Sequence, residues 1–192
     1  MYLEHFGLRE YPFSLTPDSR FFFAYRQYQE ALNTLLVALR TGEGFIKITG
    51  EVGTGKSLLC RKLLNSAEPS IYTAYIPNPL MAPSALGMAL AEELGLQLSP
   101  SLGQHRIIKA ITRRLIALNR EGNNVVLCID EAQTMPLRTM EALRLLTNLE
   151  TEQQKLLRVV LFGQPELDQK LSDPAIRQLR QRITFSLSLI HI

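Results

Sequence analysis

Cysteine and histidine are scarce: the 192 residues hold two cysteines, Cys60 in SLLCRKLL and Cys128 in VVLCID, and three histidines, His5, His105 and His191. Two cysteines set among apolar residues make no disulfide framework and no metal-ligand spacing. They read as small buried side chains. The histidines share no spacing suited to a metal or a catalytic triad, which leaves them structural or surface residues. The N-terminus, MYLEHFGLREYPF, lacks the apolar stretch of a signal peptide. No apolar run approaches the ~20 residues that cross a bilayer, so the cytoplasm is the expected location. Internal repeats, low-complexity stretches and an internal linker are also missing from the pattern. Net charge is small: 21 Lys and Arg against 18 Asp and Glu give +3. That balance permits contact with nucleic acid or anionic lipid and argues for neither. Most of the basic residues fit solvated helix faces.

What is present suits one α/β core. Apolar residues make up 46% and charged residues 20% of the chain, ordinary for a globular protein. Residues 1–28 concentrate aromatics and prolines: Phe6, Tyr11, Pro12, Phe13, Pro17, Phe21, Phe22, Phe23, Tyr25 and Tyr28. This segment is expected to strap over the core and to flank the glycine loop Gly50–Ser57, where its aromatics would also make a flat apolar wall. Residues 29–192 are expected to form the core itself.

Within the core, EALNTLLVALRTGEG from Glu30 places Leu32, Leu35, Leu36 and Leu39 at helical spacing, and Gly42 stops it. FIKIT reads as a strand, GEVGTGKS as a glycine loop and SLLCRKLLN as a helix. IYTAYI is a second strand. Helices follow from Pro83 to Leu94 and from His105 to Asn119. VVLCI is an almost wholly apolar strand, which suits a central parallel position. A helix over Leu137 to Leu149, the strand LRVVLFG, short helices between Glu166 and Arg180, and a last strand in ITFSLSL complete the pattern. Alternating strands and helices call for a parallel sheet with right-handed crossovers and helices on both faces.

The strongest chemical signal is Gly50-Glu51-Val52-Gly53-Thr54-Gly55-Lys56-Ser57, continued by Leu58 in the following helix. It matches the Walker A pattern G-x-x-x-x-G-K-[ST] in full, between a strand and a helix. Glycines let successive N–H groups turn inward around phosphate, and the helix start adds its positive end. Lys56 would reach the β- and γ-phosphates of ATP, and the Ser57 hydroxyl would ligate Mg²⁺. The partner is Val125-Val126-Leu127-Cys128-Ile129-Asp130-Glu131, an apolar strand ending in two carboxylates. Asp130 would hold the Mg²⁺, and Glu131 would orient or deprotonate the attacking water. The double carboxylate argues against a GTPase or a nucleotide kinase. Gln164, after the strand LRVVLF, is expected to contact the γ-phosphate or the water; the alternative is a simple turn between Gly163 and Pro165. Arg177, Arg180 and Arg182 read either as a solvated face or as the source of an arginine finger reaching a neighbouring subunit. Asn78 either caps a turn between two prolines or holds Glu131 away from the water.

These stretches together carry a resemblance. FGLREYPFSLTPDSRFFF, GEGFIKITGEVGTGKSLLCRKLL, YTAYIPNP, IDEAQ, EALRLLTNLET, VVLFGQPELDQ and RQLRQRITFS resemble the AAA+ (ASCE) ATPases of the ExeA/GspA secretion type, and more narrowly their MSHA pilus biogenesis branch. The resemblance covers nearly the whole chain. It implies a P-loop NTPase of AAA+ type with a five-stranded parallel sheet in the order 5-1-4-3-2. It implies that Gln164 is the sensor-1 residue and that Arg182, in LRQRI, is the finger, with Arg180 in reserve. It further implies a homo-oligomeric ring, a hexamer, working with pilus or secretion assembly proteins at the bacterial inner membrane. DNA-associated transposition ATPases are similar as well, although no helix-turn-helix or basic tract is legible. The chain reaches Ile192 just after the expected last strand, so the helical lid domain is expected to be missing. LSLIHI, from Leu187 to Ile192, can close the last strand; we favour its alternative origin as a translated transposon-end sequencing adapter that truncates the reading frame.

Overall fold

The computed structural model describes residues 2–9, 11, 26–42, 44–66, 68–99, 101–150 and 155–189. Five parallel strands make one sheet: β1 (Phe45–Gly50), β2 (Ile71–Ile76), β3 (Asn124–Ile129), β4 (Leu157–Gly163) and β5 (Phe185–Leu189). Their spatial order is β2-β3-β4-β1-β5, which is the expected 5-1-4-3-2 read from the other edge. The helices are α1 (Tyr2–His5), α2 (Arg26–Arg40), α3 (Lys56–Ser66), α4 (Pro83–Glu93), α5 (Gln104–Arg120), α6 (Leu137–Leu146), α7 (Glu166–Leu171) and α8 (Arg177–Arg180).

Burial follows from this order. The three inner strands are covered on both faces and are buried almost throughout, whereas the edge strands β2 and β5 are only partly buried. Successive side chains of a strand point to opposite faces, and each inner strand feeds two cores in turn. Val125, Leu127 and Ile129 of β3, with Val159 and Leu161 of β4, pack under α4, α5 and α6. Val126, Cys128, Val160, Phe162, Ile46 and Ile48 pack on the other face against Leu35 and Leu39 of α2 and Leu59 and Leu63 of α3. Cys60 and Cys128 lie in this second core, both fully buried free thiols. A hydrogen bond to Cys128, together with burial, pushes the Cys60 thiol well above its usual range. Arg158 brings a charge into the second core. Arg158 of β4 donates to the Leu39 carbonyl at 2.8 Å, and burial pulls its guanidinium pKa down.

Element ends differ from the sequence expectation by a few residues. Helix α2 starts at Arg26, so the boundary expected at residue 28 falls inside a helix. The described part of the N-terminal segment does not pack into either core. α1 has no buried residue, and Phe6 and Tyr11 are 63% and 67% exposed. Its aromatics contact one another instead, with Tyr2 stacked on Tyr11 and edge-on to Phe6. Pro12, Phe13, Pro17, Phe21, Phe22, Phe23 and Tyr25 lie outside the described residues. Leu187, Ser188 and Leu189 belong to β5, in register with Ile48, Thr49 and Gly50 of β1. Residues 190–192 lie outside the described set. No helix among the described residues is long and apolar enough to cross a membrane.

Candidate functional site

All five strands are parallel, so their C-terminal ends share one edge of the sheet. Gly50 ends β1, Gly163 ends β4, and Asp130 follows β3 there. β4 lies between β1 and β3, so the loop carrying Gln164 emerges between the glycine loop and the two carboxylates. Adjacent strands are about 4.8 Å apart, which sets β1 and β3 about 10 Å apart.

The glycine loop takes its shape from residues without a Cβ. Gly53 and Gly55 have φ of +83° and +75°, in the left-handed region that other residues avoid. A Cβ on Gly50 would lie 2.6 Å from the Thr54 hydroxyl and 2.9 Å from the Leu189 carbonyl oxygen. Helix α3 begins at Lys56, and the Leu59 N–H donates to Gly55 O at 2.9 Å. Leu58 is half-buried in its first turn, while Glu51, Val52 and Gly53 are exposed at the rim. The Lys56 side chain is 7% exposed and folds back over the loop. Its Nζ donates to Gly50 O and Glu51 O, each at 2.7 Å. Tyr28 braces the loop from α2, donating its hydroxyl hydrogen to Thr54 O, with its ring 3.3 Å from where a Gly55 Cβ would sit.

Ser57 and Asp130 meet across the gap between the two motifs, since the Asp130 carboxylate accepts a hydrogen bond from the Ser57 side chain. Asp130 is 4% exposed, and desolvation raises its pKa despite the hydrogen bonds from Ser57 and the Glu131 N–H. A hydroxyl and a carboxylate, both oxygen donors and the latter held where burial penalises its charge, are the donor set a hard divalent cation takes. Among the described residues no group of three or more His, Cys, Asp or Glu forms a separate metal cluster.

A carboxyl whose folded pKa is raised favours folding below its unfolded pKa, and that contribution is lost as pH rises through the folded value. Ionisation of Asp130 therefore works against folding of the metal-free chain. Asp130→Asn is expected to raise the melting temperature of the metal-free chain by roughly 2 °C and to abolish Mg²⁺-dependent stabilisation by nucleotide. Thermal melts with and without Mg-ATP check both.

Glu131 is the sole described non-glycine residue with positive φ, at φ 50° and ψ 36°. Such a conformation costs about 1 kcal/mol or more and recurs at functional sites. It aims the carboxylate back across the strand ends. Gln133 Nε2 donates to Glu131 Oε2 at 2.6 Å, and Gln164 Nε2 approaches the same oxygen at 3.5 Å. The Gln164 side chain thus lies beside the Glu131 carboxylate. Asn78 does not hold Glu131; its Oδ1 accepts the Leu80 N–H at 3.0 Å, the local turn cap of the alternative reading. Gln133 was visible within IDEAQ, but nothing in spacing distinguishes it from a surface glutamine.

The basic cluster separates in space. Arg182 docks on its own chain, donating to the Thr147 hydroxyl at 2.9 Å and the Arg144 carbonyl at 3.4 Å. It thereby serves the carbonyl end of α6, where a cation is favoured. Arg177 and Arg180 are exposed.

A strand–glycine loop–helix cradle, a serine paired with a buried aspartate and a glutamate beyond it, on a parallel sheet of this order, define the P-loop NTPase fold. Residues 39–171 match the AAA domain family, and the chain belongs to that family. It is similar to General secretion pathway protein A of Aeromonas hydrophila, 42% identical over 190 residues, which is 99% of this chain and 35% of the relative. The resemblance to the secretion-ATPase family is thereby shown, and the chain spans about a third of that relative's length. Among solved structures, Cdc6p of Pyrobaculum aerophilum shares the fold at TM-score 0.66 and 18% identity, covering 91% of this chain and 49% of that one. A Walker-type ATPase of Pyrococcus abyssi gives 0.65 and 18%, covering 95% and 58%. The ORC2 protein of Aeropyrum pernix, solved as ADPNP-ADP complexes, gives 0.63 and 18%, covering 85% and 47%.

Proposed function

We propose that this chain is the Mg-ATP-hydrolysing core of an AAA+ ATPase that supports assembly of a type II secretion apparatus or, in the finer reading, an MSHA-type IV pilus. The observation that carries the chemistry is the convergence of Lys56, the Ser57–Asp130 pair and Glu131 on one edge of the sheet. The process is supported by the similarity to General secretion pathway protein A. Homo-oligomeric ring assembly at the inner membrane belongs to the same proposal.

In this reading the loop N–H groups from Gly53 to Ser57 receive the phosphates, and Lys56 leaves the Gly50 and Glu51 carbonyls to neutralise them. Ser57 and Asp130 would hold Mg²⁺, whose charge would offset that of the outer phosphates. Glu131 takes a proton from the attacking water, and Gln164 orients that water or the γ-phosphate. A recess of about 320 Å³, lined by Tyr28, Glu30, Ala31, Thr34 and the Leu187–Leu189 stretch, adjoins the loop through Tyr28 and Leu189 and is the proposed seat of the base. Phosphate release by the purified chain tests the reading. Saturable, divalent-dependent release is expected; bound ATP that is never cleaved would overturn it.

For the finger, exposure favours Arg180 over Arg182. Arg180→Ala is expected to slow turnover by the assembled ring by about 100-fold or more with the melting temperature unchanged, whereas Arg182→Ala lowers the melting temperature. Turnover against protein concentration, beside thermal melts, checks this.

A DNA-associated ATPase is the second reading, and one feature favours it. Arg106, Lys109, Arg113 and Arg120 of α5 are exposed, and α5 carries no acidic residue. At 100° per residue they fall within an arc of about 60° along about 21 Å of helix. DNA binding that weakens steeply as salt rises would support it.

A further inference from the structure

Gln133 lies in the 3-10 turn Ala132–Thr134, two residues beyond Glu131, and is half-buried. Both ends of its carboxamide are engaged. Nε2 donates to Glu131 Oε2 at 2.6 Å, and Oε1 accepts the Gln164 N–H at 3.1 Å. An ionised carboxylate can only accept and a backbone N–H can only donate, so the amide has one orientation that satisfies both. A glutamate here would serve Gln164 and repel Glu131.

The surroundings hold this bridge in place. Lys170 of α7 donates to the carbonyl oxygens of Gln133 and Met135, the latter at 2.9 Å. A Cβ on Gly163 would lie 3.2 Å from Gln133 Oε1 and 2.8 Å from Leu167, so the bare backbone there gives the carboxamide room to approach. The bond from Gln133 to Glu131 is short. The one from the Gln164 side chain to the same oxygen, at 3.5 Å, is at the limit of a hydrogen bond.

We propose that Gln133 is a positioning residue for the general base. It occupies Glu131 Oε2, so that Oε1 is the oxygen presented to the water, and it ties that orientation to the Gln164 loop. The Gln164 side chain can then turn toward the γ-phosphate without releasing Glu131, because its N–H stays on Gln133. The inference rests on the ATPase reading of the site.

Single-turnover phosphate release, with nucleotide affinity measured in parallel, tests it in two backgrounds. Gln133→Met keeps the side-chain length and removes both hydrogen-bonding ends. It is expected to slow cleavage by ~10- to 100-fold with affinity changed less than about twofold. In a Glu131→Gln background the same substitution is expected to leave the residual rate unchanged, because the base it orients is gone. Gln133→Glu, which retains the tie to Gln164 and so guards against a folding defect, is expected to slow cleavage at least as much as Gln133→Met. Equal losses in both backgrounds, or an affinity loss that matches the rate loss, would make Gln133 a structural tie and overturn the proposal. Cleavage by Gln133→Met at the rate of the unsubstituted chain would remove the proposal and leave the ATPase reading standing. An unsubstituted chain that binds Mg-ATP and never cleaves it would remove both.

Discussion

Glu131→Gln is expected to leave ATP bound and almost uncleaved, with turnover reduced by ~10²- to 10⁴-fold, the contribution of a positioned general base. Glutamine has the length of glutamate, so the side chain still fits the left-handed backbone at position 131. Its amide oxygen can still accept the hydrogen bond from Gln133 Nε2. What it cannot do is take the proton of the attacking water. Nucleotide affinity should therefore hold within about threefold of the unsubstituted chain, since Lys56, Ser57 and Asp130 are untouched. Phosphate release measured beside equilibrium nucleotide binding separates the two quantities. Turnover within tenfold of the unsubstituted rate would assign the base elsewhere.

Lys56→Ala is the complementary case, in which binding itself fails. Lys56 is the nearly buried cation of the loop, and its Nζ satisfies two backbone carbonyls at 2.7 Å. Charge-assisted hydrogen bonds to phosphate contribute about 1.5–3 kcal/mol each. Loss of two such contacts corresponds to nucleotide binding weaker by at least ~100-fold. The empty loop suffers as well. Gly50 O is left without the Lys56 donor, at a cost of about 1–2 kcal/mol. The melting temperature of the nucleotide-free chain is expected to fall by a few degrees, about 2–4 °C per kcal/mol at this size. Calorimetric titration and thermal melts read the two effects. Unchanged affinity would mean that the glycine loop does not hold the triphosphate.

These two residues were legible because each motif is contiguous. Gly50 to Ser57 is read in one stretch, with its strand and helix adjoining, and Asp130 and Glu131 close an apolar strand. Local rules of backbone conformation suffice to assign such segments. Gln164 was legible more faintly, as a polar residue at a strand end. Gln133, Lys170 and the docking of Arg182 were not. Apart from Glu131, two residues from Gln133, their partners lie 31, 37 and 35 residues away in sequence, and short-range periodicity carries no information at those separations. Asn78 shows the reverse. Its position between two prolines already suggested a turn cap, and the Leu80 N–H is the partner found.

The amino-acid pattern alone determined that β1, β3 and β4 are strands and β3 a buried one, that a Walker A glycine loop follows β1, and that two carboxylates follow β3. An unbroken apolar run, glycine at positive φ and the strand–loop–helix order are properties of neighbouring residues. The tertiary structure decided which of those ends meet. Inserting β4 between β1 and β3 carries Gln164 to Gln133 and to Glu131. Side-chain hydrogen bonds form only within about 3 Å, and that proximity is set by strand order and packing, not by distance along the chain.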